Sequence, residues 1–368
     1  MSGTRVSEPP HGPADAAPPV IEVRHLSKRF PVGGLFRTKQ VHALEAVSLR
    51  LRRGAVVALV GESGSGKSTT ARLIARLMPP TSGQILLHGE NVLASEPRQA
   101  SLRYRRAVQM IFQDPFSSLN AVHTIGHHLA RPLLIHGKAT GQRELQERIQ
   151  ELLTLVGLTP AWEVAEKYPH QLSGGQRQRV AIARALAVDP AIILADEPIS
   201  MLDVSIRMGI LNLLEELQGE RGIGYLYITH DLASARYFAD ETVVLYAGHM
   251  VEGAESTVLM DQAAHPYTQL LLSAVPNPHA GLAKRPLTAR GDVPSLIDPP
   301  PGCPFAARCP QVLPVCREVM PGVEWVGATH WVRCHLYGPG VTDTVGDQPS
   351  MTPEARAQGL EERSATNA

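Results

Sequence analysis

Several things are scarce in this sequence, and each scarcity closes off a class of protein. A bilayer-spanning helix needs roughly 20 consecutive apolar residues. The longest apolar stretches here, such as residues 191–195, are far shorter, so no membrane span is expected. Neither sign of charge is in excess: Lys plus Arg and Asp plus Glu stand at 35 each. A net charge of zero gives no overall field to hold polyanionic nucleic acid through its phosphates. The first twenty residues lack the basic start and apolar run of a secretion signal, and their Pro-rich, polar character (Glu8-Pro9-Pro10, Pro18-Pro19) predicts a disordered leader on a cytoplasmic protein. Aromatic residues make up only 5%. Cysteine is absent from the first 302 positions, and all four cysteines fall between Cys303 and Cys334. In a reducing compartment such clustering points to metal rather than to disulfides.

What is present fits an ordinary globular chain of 368 residues, 43% hydrophobic and 19% charged, read as one large or two modest domains. Short β-branched runs at 56–60, 192–194, 225–228 and 242–245 alternate with helix-like segments. That alternation predicts an α/β fold with a largely parallel central sheet. Apolar spacing over 68–77, 145–156, 180–187 and 206–217 predicts helices with one buried face. From 275 to 301 the chain turns rich in Pro and Gly, a cysteine-bearing appendix follows, and 338–368 reads as a mobile polar tail.

Residues 61–68 read Gly61-Glu62-Ser63-Gly64-Ser65-Gly66-Lys67-Ser68, the pattern G-x-x-x-x-G-K-[ST], after an apolar strand and before a helix-like run. Glycines there let successive N–H groups curl around phosphate oxygens, and the helix start adds its positive end. Lys67 would neutralise the outer phosphates, and Ser68 would ligate magnesium. A chance match in this chain has a probability on the order of one per cent, so an ordinary glycine turn is set aside. The second half of such a site is a carboxylate at the end of a buried strand. Residues 191–196 supply Asp196 as the magnesium partner, and Glu197 beside it is placed to polarise the attacking water. These two motifs establish nucleotide hydrolysis without saying what it drives.

Leu172-Ser173-Gly174-Gly175-Gln176, whose Ser lies 23 positions before Asp196, resembles the signature of ATP-binding-cassette proteins. The resemblance covers about 21–253. It implies a P-loop NTPase cassette: a RecA-like parallel-sheet core, an N-terminal antiparallel β subdomain and a helical subdomain at about 115–188, within a cassette over 20–262. It also implies that the signature caps ATP held by a second subunit, so that two cassettes sandwich two nucleotides. Gln113, in Met110-Ile111-Phe112-Gln113-Asp114-Pro115, matches the family glutamine that touches magnesium and reports to membrane subunits. His230, in Ile228-Thr229-His230-Asp231, matches the histidine at the γ-phosphate. Ser200-Met201-Leu202-Asp203 matches the loop across the dimer interface, with Met where Ala is commoner. Phe30, followed by Pro31 and a Gly-rich insertion, is the candidate to stack on adenine. Thr69 completes the nucleotide-binding set of Phe30, 61–69, Gln113, 173–176 and Asp203; Glu197 and His230 are the catalytic pair.

Residues 115–120 and 124–126, His265-Pro266-Tyr267-Thr268, and the appendix opening Gly302-Cys303-Pro304 resemble importers of oligopeptides, dipeptides and nickel. Read as residues alone, Pro266 could simply open a helix whose Leu270 to Leu272 pack inward. The resemblance implies an extension over 263–337, transmembrane permease subunits, a partner cassette, an extracytoplasmic solute-binding protein acting indirectly, no nucleic acid, and a place on the cytoplasmic face of the membrane. Cargo stays open between peptides and nickel or another small solute, and a soluble cassette in DNA repair or translation is a remoter alternative. The gaps between Cys303, Cys309, Cys316 and Cys334 are five, six and seventeen residues, unlike the close pairs of most zinc sites. A [4Fe-4S] cluster is therefore favoured over zinc or free thiols. The expected cofactors are ATP, Mg2+ and this cluster.

Overall fold

The computed structural model describes residues 18–33, 39–274 and 294–338, with no account of the side chains of Phe116 and Ser117. But for Pro18, Pro19 and Gly338, the expected leader and tail lie outside the described residues.

Twelve strands form two sheets among the described residues. They are β1 (Ile21–Val32), β2 (Lys39–Leu51), β3 (Val56–Val60), β4 (Ser82–Leu87), β5 (Glu90–Asn91), β6 (Val108–Ile111), β7 (Ile192–Asp196), β8 (Gly224–Thr229), β9 (Glu241–Tyr246), β10 (His249–Glu255), β11 (Glu324–Trp325) and β12 (Trp331–Val332). The larger sheet runs β11-β12-β10-β9-β3-β8-β7-β6, and the smaller β2-β1-β4-β5. From β9 to β6 every pairing is parallel. Strands β3, β7 and β8 are buried along their whole length, as parallel strands covered on both faces must be.

Side-chain alternation divides this sheet between two cores. Val57, Leu59, Ile192, Leu194, Leu226 and Ile228 join the antiparallel sheet's Ile21, Leu26, Leu44 and Ile85. Val56, Ala58, Val60, Ile193, Ala195 and Tyr225 face the helices instead. A strand's period of two makes this split a consequence of sequence alone. The helices over Pro115–Ser118, Ile125–Ile135, Gln142–Leu155, Ala161–Glu166 and Gly174–Leu186 pack among themselves through Ile125, Leu129, Leu153, Val156 and Val180.

The helix expected over 68–77 spans Lys67–Ile74 and stops early. Arg76 takes a left-handed φ of 55°. Leu77 N–H donates to the Arg72 carbonyl and Arg76 N–H to that of Leu73, a Schellman closure built on arginine where glycine is usual. The Arg76 guanidinium pairs with Glu96 at 2.7 Å and lies over the Tyr104 ring, which offsets the unfavourable backbone. Strand β1 runs on past Phe30 through two more paired residues, Pro31 opposite Gln40 and Val32 opposite Lys39.

The region beyond 262 does not stand apart from the cassette. Strand β12 pairs with β10, Glu252 opposite Val332 and Gly253 opposite Trp331, so the appendix extends the main sheet at its edge. The indole covers Gly253 so closely that a Cβ there would lie 2.6 Å from the ring.

Candidate functional site

Four neighbouring parallel strands end on one side of the sheet, and each delivers one part of the candidate site. Strand β3 opens into residues 61–68, β7 ends at Asp196 with Glu197 next, β8 leads to His230 and β6 to Gln113. Ser68 and Asp196, Gln113 and Glu197, and Glu197 and His230, which are 128, 84 and 33 positions apart in sequence, thus meet because parallel strands share a carboxyl end.

The glycine loop depends on its glycines sterically. Gly66 has φ 107°, and a Cβ there would come within 2.7 Å of the Ala43 carbonyl oxygen; at Gly61 it would come within 2.1 Å of that of Leu245. Lys67 opens the following helix with its side chain buried, and its Nζ donates to the carbonyls of Gly61 at 2.7 Å and Glu62 at 2.9 Å. Burial pulls the ammonium below the ordinary lysine range, opposed by the negative charges of Glu197, Asp196 and Glu62. Ser63 and Gly64 sit exposed at the tip, Thr69 is half-buried one residue past Ser68, and the buried Ser65 Oγ has no hydrogen-bond partner among the described residues.

Ser68 Oγ donates to Asp196 Oδ1 at 2.8 Å. Asp196 is buried, and desolvation raises its carboxyl pKa against the lowering effect of the Ser68 bond. These two hard oxygens fit magnesium, which takes one or two protein oxygens and completes its shell with water and substrate phosphate. Glu197 has φ 47°, a left-handed backbone that costs free energy and is held by its N–H donating to the Ile228 carbonyl. Its carboxylate accepts from Gln113 Nε2 at 2.8 Å through Oε2 and faces His230 Nδ1 at 3.4 Å through Oε1. Gln113 and His230 are exposed, so this corner of the site is open to solvent.

Residues 172–176 are placed elsewhere. Ser173 caps the helix Gly174–Leu186 in a reciprocal box: its Oγ accepts from Gln176 N–H at 3.3 Å, and Gln176 Oε1 accepts from Ser173 N–H at 3.0 Å. Among the described residues no hydrogen bond or ion pair joins this segment to 61–68. Gly175 packs under Ile206, and Gly174 faces Leu202, so the motif rests on the Ser200 to Asp203 turn of its own chain. Asp203 is exposed at the start of the helix Val204–Arg221, amid Met201, Val204 and Met208 at 57%, 77% and 46% exposure. Phe30 is half-buried on β1, with the Lys28 ammonium 4.9 Å above its ring. Its partner Val41 lies two residues before Ala43, whose carbonyl touches Gly66.

Residues 44–200 match the ABC transporter family, and residues 251–316 match the oligopeptide/dipeptide transporter C-terminal region. The oligopeptide transport ATP-binding protein AppF of Bacillus subtilis is 43% identical over 86% of this chain and 97% of its own length. The dipeptide transport ATP-binding protein DppF of Haemophilus influenzae is 42% identical over 83% and 93%. This chain belongs to the ATP-binding-cassette family of oligopeptide and dipeptide transport ATP-binding proteins. The cassette MJ0796, whose dimer has been solved in a post-hydrolysis state with ADP and Pi, is 31% identical, with a TM-score of 0.56 over 64% of this chain and 98% of that one. The cassette fold expected from the sequence is thus found, and with it an ATPase.

One residue of this cassette's nucleotide loop, Glu62, has two partners that sequence reasoning missed. Glu62 N–H donates to Tyr267 Oη, and the Glu62 carboxylate is bound by Arg308. Tyr267 lies within the His265 to Thr268 motif and Arg308 within the cysteine-bearing appendix, both of which marked the subfamily; that was the available signal, and neither motif said which residue it would reach. His265 caps the helix Pro266–Ser273, its Nδ1 accepting from Tyr267 N–H at 3.0 Å.

The expected iron–sulfur cluster gains no support. Cys303, Cys309, Cys316 and Cys334 are all free thiols close enough to feel one another electrostatically. Among the described residues, however, no group of three or more His, Cys, Asp or Glu side chains is arranged to hold a metal ion. Burial pushes the Cys303 thiol up to about 11 and the Cys334 thiol to about 12.

A cleft of about 860 Å3 opens between β6 and the helix Ile125–Ile135, close to Gln113. Its walls carry Arg76, Arg105, Arg131 and Arg184 with four histidines and no carboxylate. Among the described residues no helix is long and apolar enough to cross a membrane.

Proposed function

We propose that this chain is the ATP-hydrolysing subunit of an importer for dipeptides and oligopeptides, working at the cytoplasmic face of the membrane. One observation carries the reading: a nucleotide site assembled from four strand ends occurs in the same chain as the oligopeptide/dipeptide C-terminal region. In this reading residues 61–69 cradle the phosphates, with Lys67 on the outer ones and Phe30 against the adenine. The Gly66 to Ser68 backbone places N–H groups at a helix start, where anions are favoured. Ser68 and Asp196, with Gln113, would hold magnesium, which neutralises charge on the phosphate oxygens when bound.

Glu197 takes a proton from the attacking water. Its carboxylate is aimed by Gln113 on one oxygen and His230 on the other, so the base is fixed before substrate arrives. His230, half-free of Glu197 and exposed, reaches the γ-phosphate side. Ser173 to Gln176 cannot serve their own chain's nucleotide loop from where they rest, so they serve a partner's. Met201, Val204 and Met208 give the partner an apolar surface beside Asp203. Permease helices dock in the arginine-lined cleft near Gln113, and a solute-binding protein outside the cell selects cargo.

Purification of the assembled transporter tests this, followed by uptake of labelled di- and oligopeptides into vesicles. ATP-dependent peptide uptake is expected. Uptake of nickel alone would replace the cargo, and co-purification with ribosomes or DNA would replace the transporter.

A further inference from the structure

The nucleotide loop is gripped from a part of the chain that the mechanism above leaves idle. Glu62 is held at both ends by residues from beyond the cassette. Its N–H donates to Tyr267 Oη at 2.8 Å, and its two carboxylate oxygens accept from Arg308 Nη1 at 2.7 Å and Nη2 at 3.0 Å. These partners lie 205 and 246 positions downstream.

Arg308 is itself fixed. It is only 8% exposed, donates from Nη1 to Tyr246 Oη at 3.3 Å, and lies over the rings of Tyr246 and Phe305. Tyr246, Tyr267 and Phe305 pack with ring centroids 4.4 to 5.4 Å apart. Tyr246 follows Leu245, whose carbonyl is the atom in closest approach to Gly61. A planar fork closed on a carboxylate inside an aromatic box has little rotamer freedom left to lose.

Two consequences for ATP follow. The Glu62 backbone, and with it the first turn of the phosphate loop, is set by the Tyr267 hydroxyl. The Glu62 charge, which acts on Lys67 across the loop, is cancelled by Arg308 in place of repelling a triphosphate.

We infer that Tyr267 and Arg308 are positioning residues for nucleotide binding, so that the C-terminal extension, by docking on Glu62, sets the ATP affinity of the cassette. The inference rests on the reading of residues 61–68 as the ATP loop. A plain structural tie between extension and cassette would have the same contacts but no effect on nucleotide, and the two are separable.

The test measures ATP dissociation constants and melting temperatures on the full-length chain. Arg308→Ala leaves Glu62 charged and unpaired beside the phosphates, and ATP binding should weaken about tenfold, equal to about 1.4 kcal/mol. Arg308→Ala combined with Glu62→Gln removes the stranded charge and should recover most of that affinity while the melting temperature stays low. An Arg308→Ala protein that melts earlier yet binds ATP as the wild type does would overturn the inference, as would the absence of recovery in the double variant. Should Arg308→Ala fail to fold, Tyr267→Phe keeps the ring and removes only Oη. The expected result is a raised KM for ATP with kcat unchanged, and an unchanged KM overturns the inference. Wild-type protein that binds no ATP would sink the nucleotide reading itself, a separate failure.

Discussion

Replacing Glu197 by Gln changes one atom, and the structure says how much should follow from it. The carboxylate accepts from Gln113 Nε2 at 2.8 Å and faces His230 Nδ1 at 3.4 Å. A glutamine of the same size can keep both contacts, its Oε1 accepting from Gln113 and its amide nitrogen facing the His230 ring. The left-handed backbone at 197 is anchored by the main chain to Ile228 and is untouched. What disappears is the negative charge and the ability to take a proton. General-base catalysis contributes about 10²- to 10⁴-fold, so single-turnover hydrolysis should fall by that factor. ATP binding should hold or tighten, because one of the anions facing the γ-phosphate has gone. Quenched-flow hydrolysis with equilibrium nucleotide binding on the same sample separates the two, and size-exclusion chromatography with ATP should show accumulation of a closed dimer. A Glu197→Gln protein hydrolysing ATP within about tenfold of wild type would refute the assignment of the base, since that loss falls below any general-base contribution.

Lys67→Ala should act on binding, not on the chemical step: losing charge-assisted bonds worth about 1.5–3 kcal/mol weakens nucleotide binding roughly ten- to hundredfold, measurable by fluorescent-nucleotide titration. Gly253→Ala should cost about 1–3 kcal/mol of stability, because the new methyl meets the Trp331 ring at 2.6 Å; an unaltered melting temperature and unaltered tryptophan signal would contradict the pairing of β10 with β12. Acid should expose His265. Burial depresses its pKa from 6.5 to about 4, and its Nδ1 is already committed as an acceptor. A depressed pKa means that the folded state disfavours the proton, so this contribution is whole above pH 6.5 and drains away as pH falls towards 4. At about 1.36 kcal/mol per unit, the loss approaches about 3 kcal/mol. His265→Asn keeps a capping side chain without a titrating one, and denaturant melts at pH 7 and pH 4 should show a smaller drop than in the wild type.

The fold was legible where local chemistry dictates it. Five buried aliphatic residues in β3 make a central parallel strand, and the glycines at 61 and 66 make a loop only glycine can enter. The boundary of the helix after that loop was less legible, because its stop uses an arginine in a left-handed conformation, held by Glu96 and Tyr104 from distant sequence. The cysteine spacing suggested a cluster that the arrangement of the side chains does not support.

The sequence by itself determined the nucleotide chemistry: a phosphate loop, a strand-end acid pair and a capped glycine-rich helix start are local patterns whose residues act through their own backbone. Only the tertiary structure decided which side chains meet. Gln113, Glu197 and His230 converge because three parallel strands share one end. Ser173 and Lys67 lie in separate places, so the site asks for a second copy or relative. The extension reaches Glu62 through Tyr267 and Arg308, since a contact spanning more than 200 residues is fixed by packing and leaves no periodic trace in the chain.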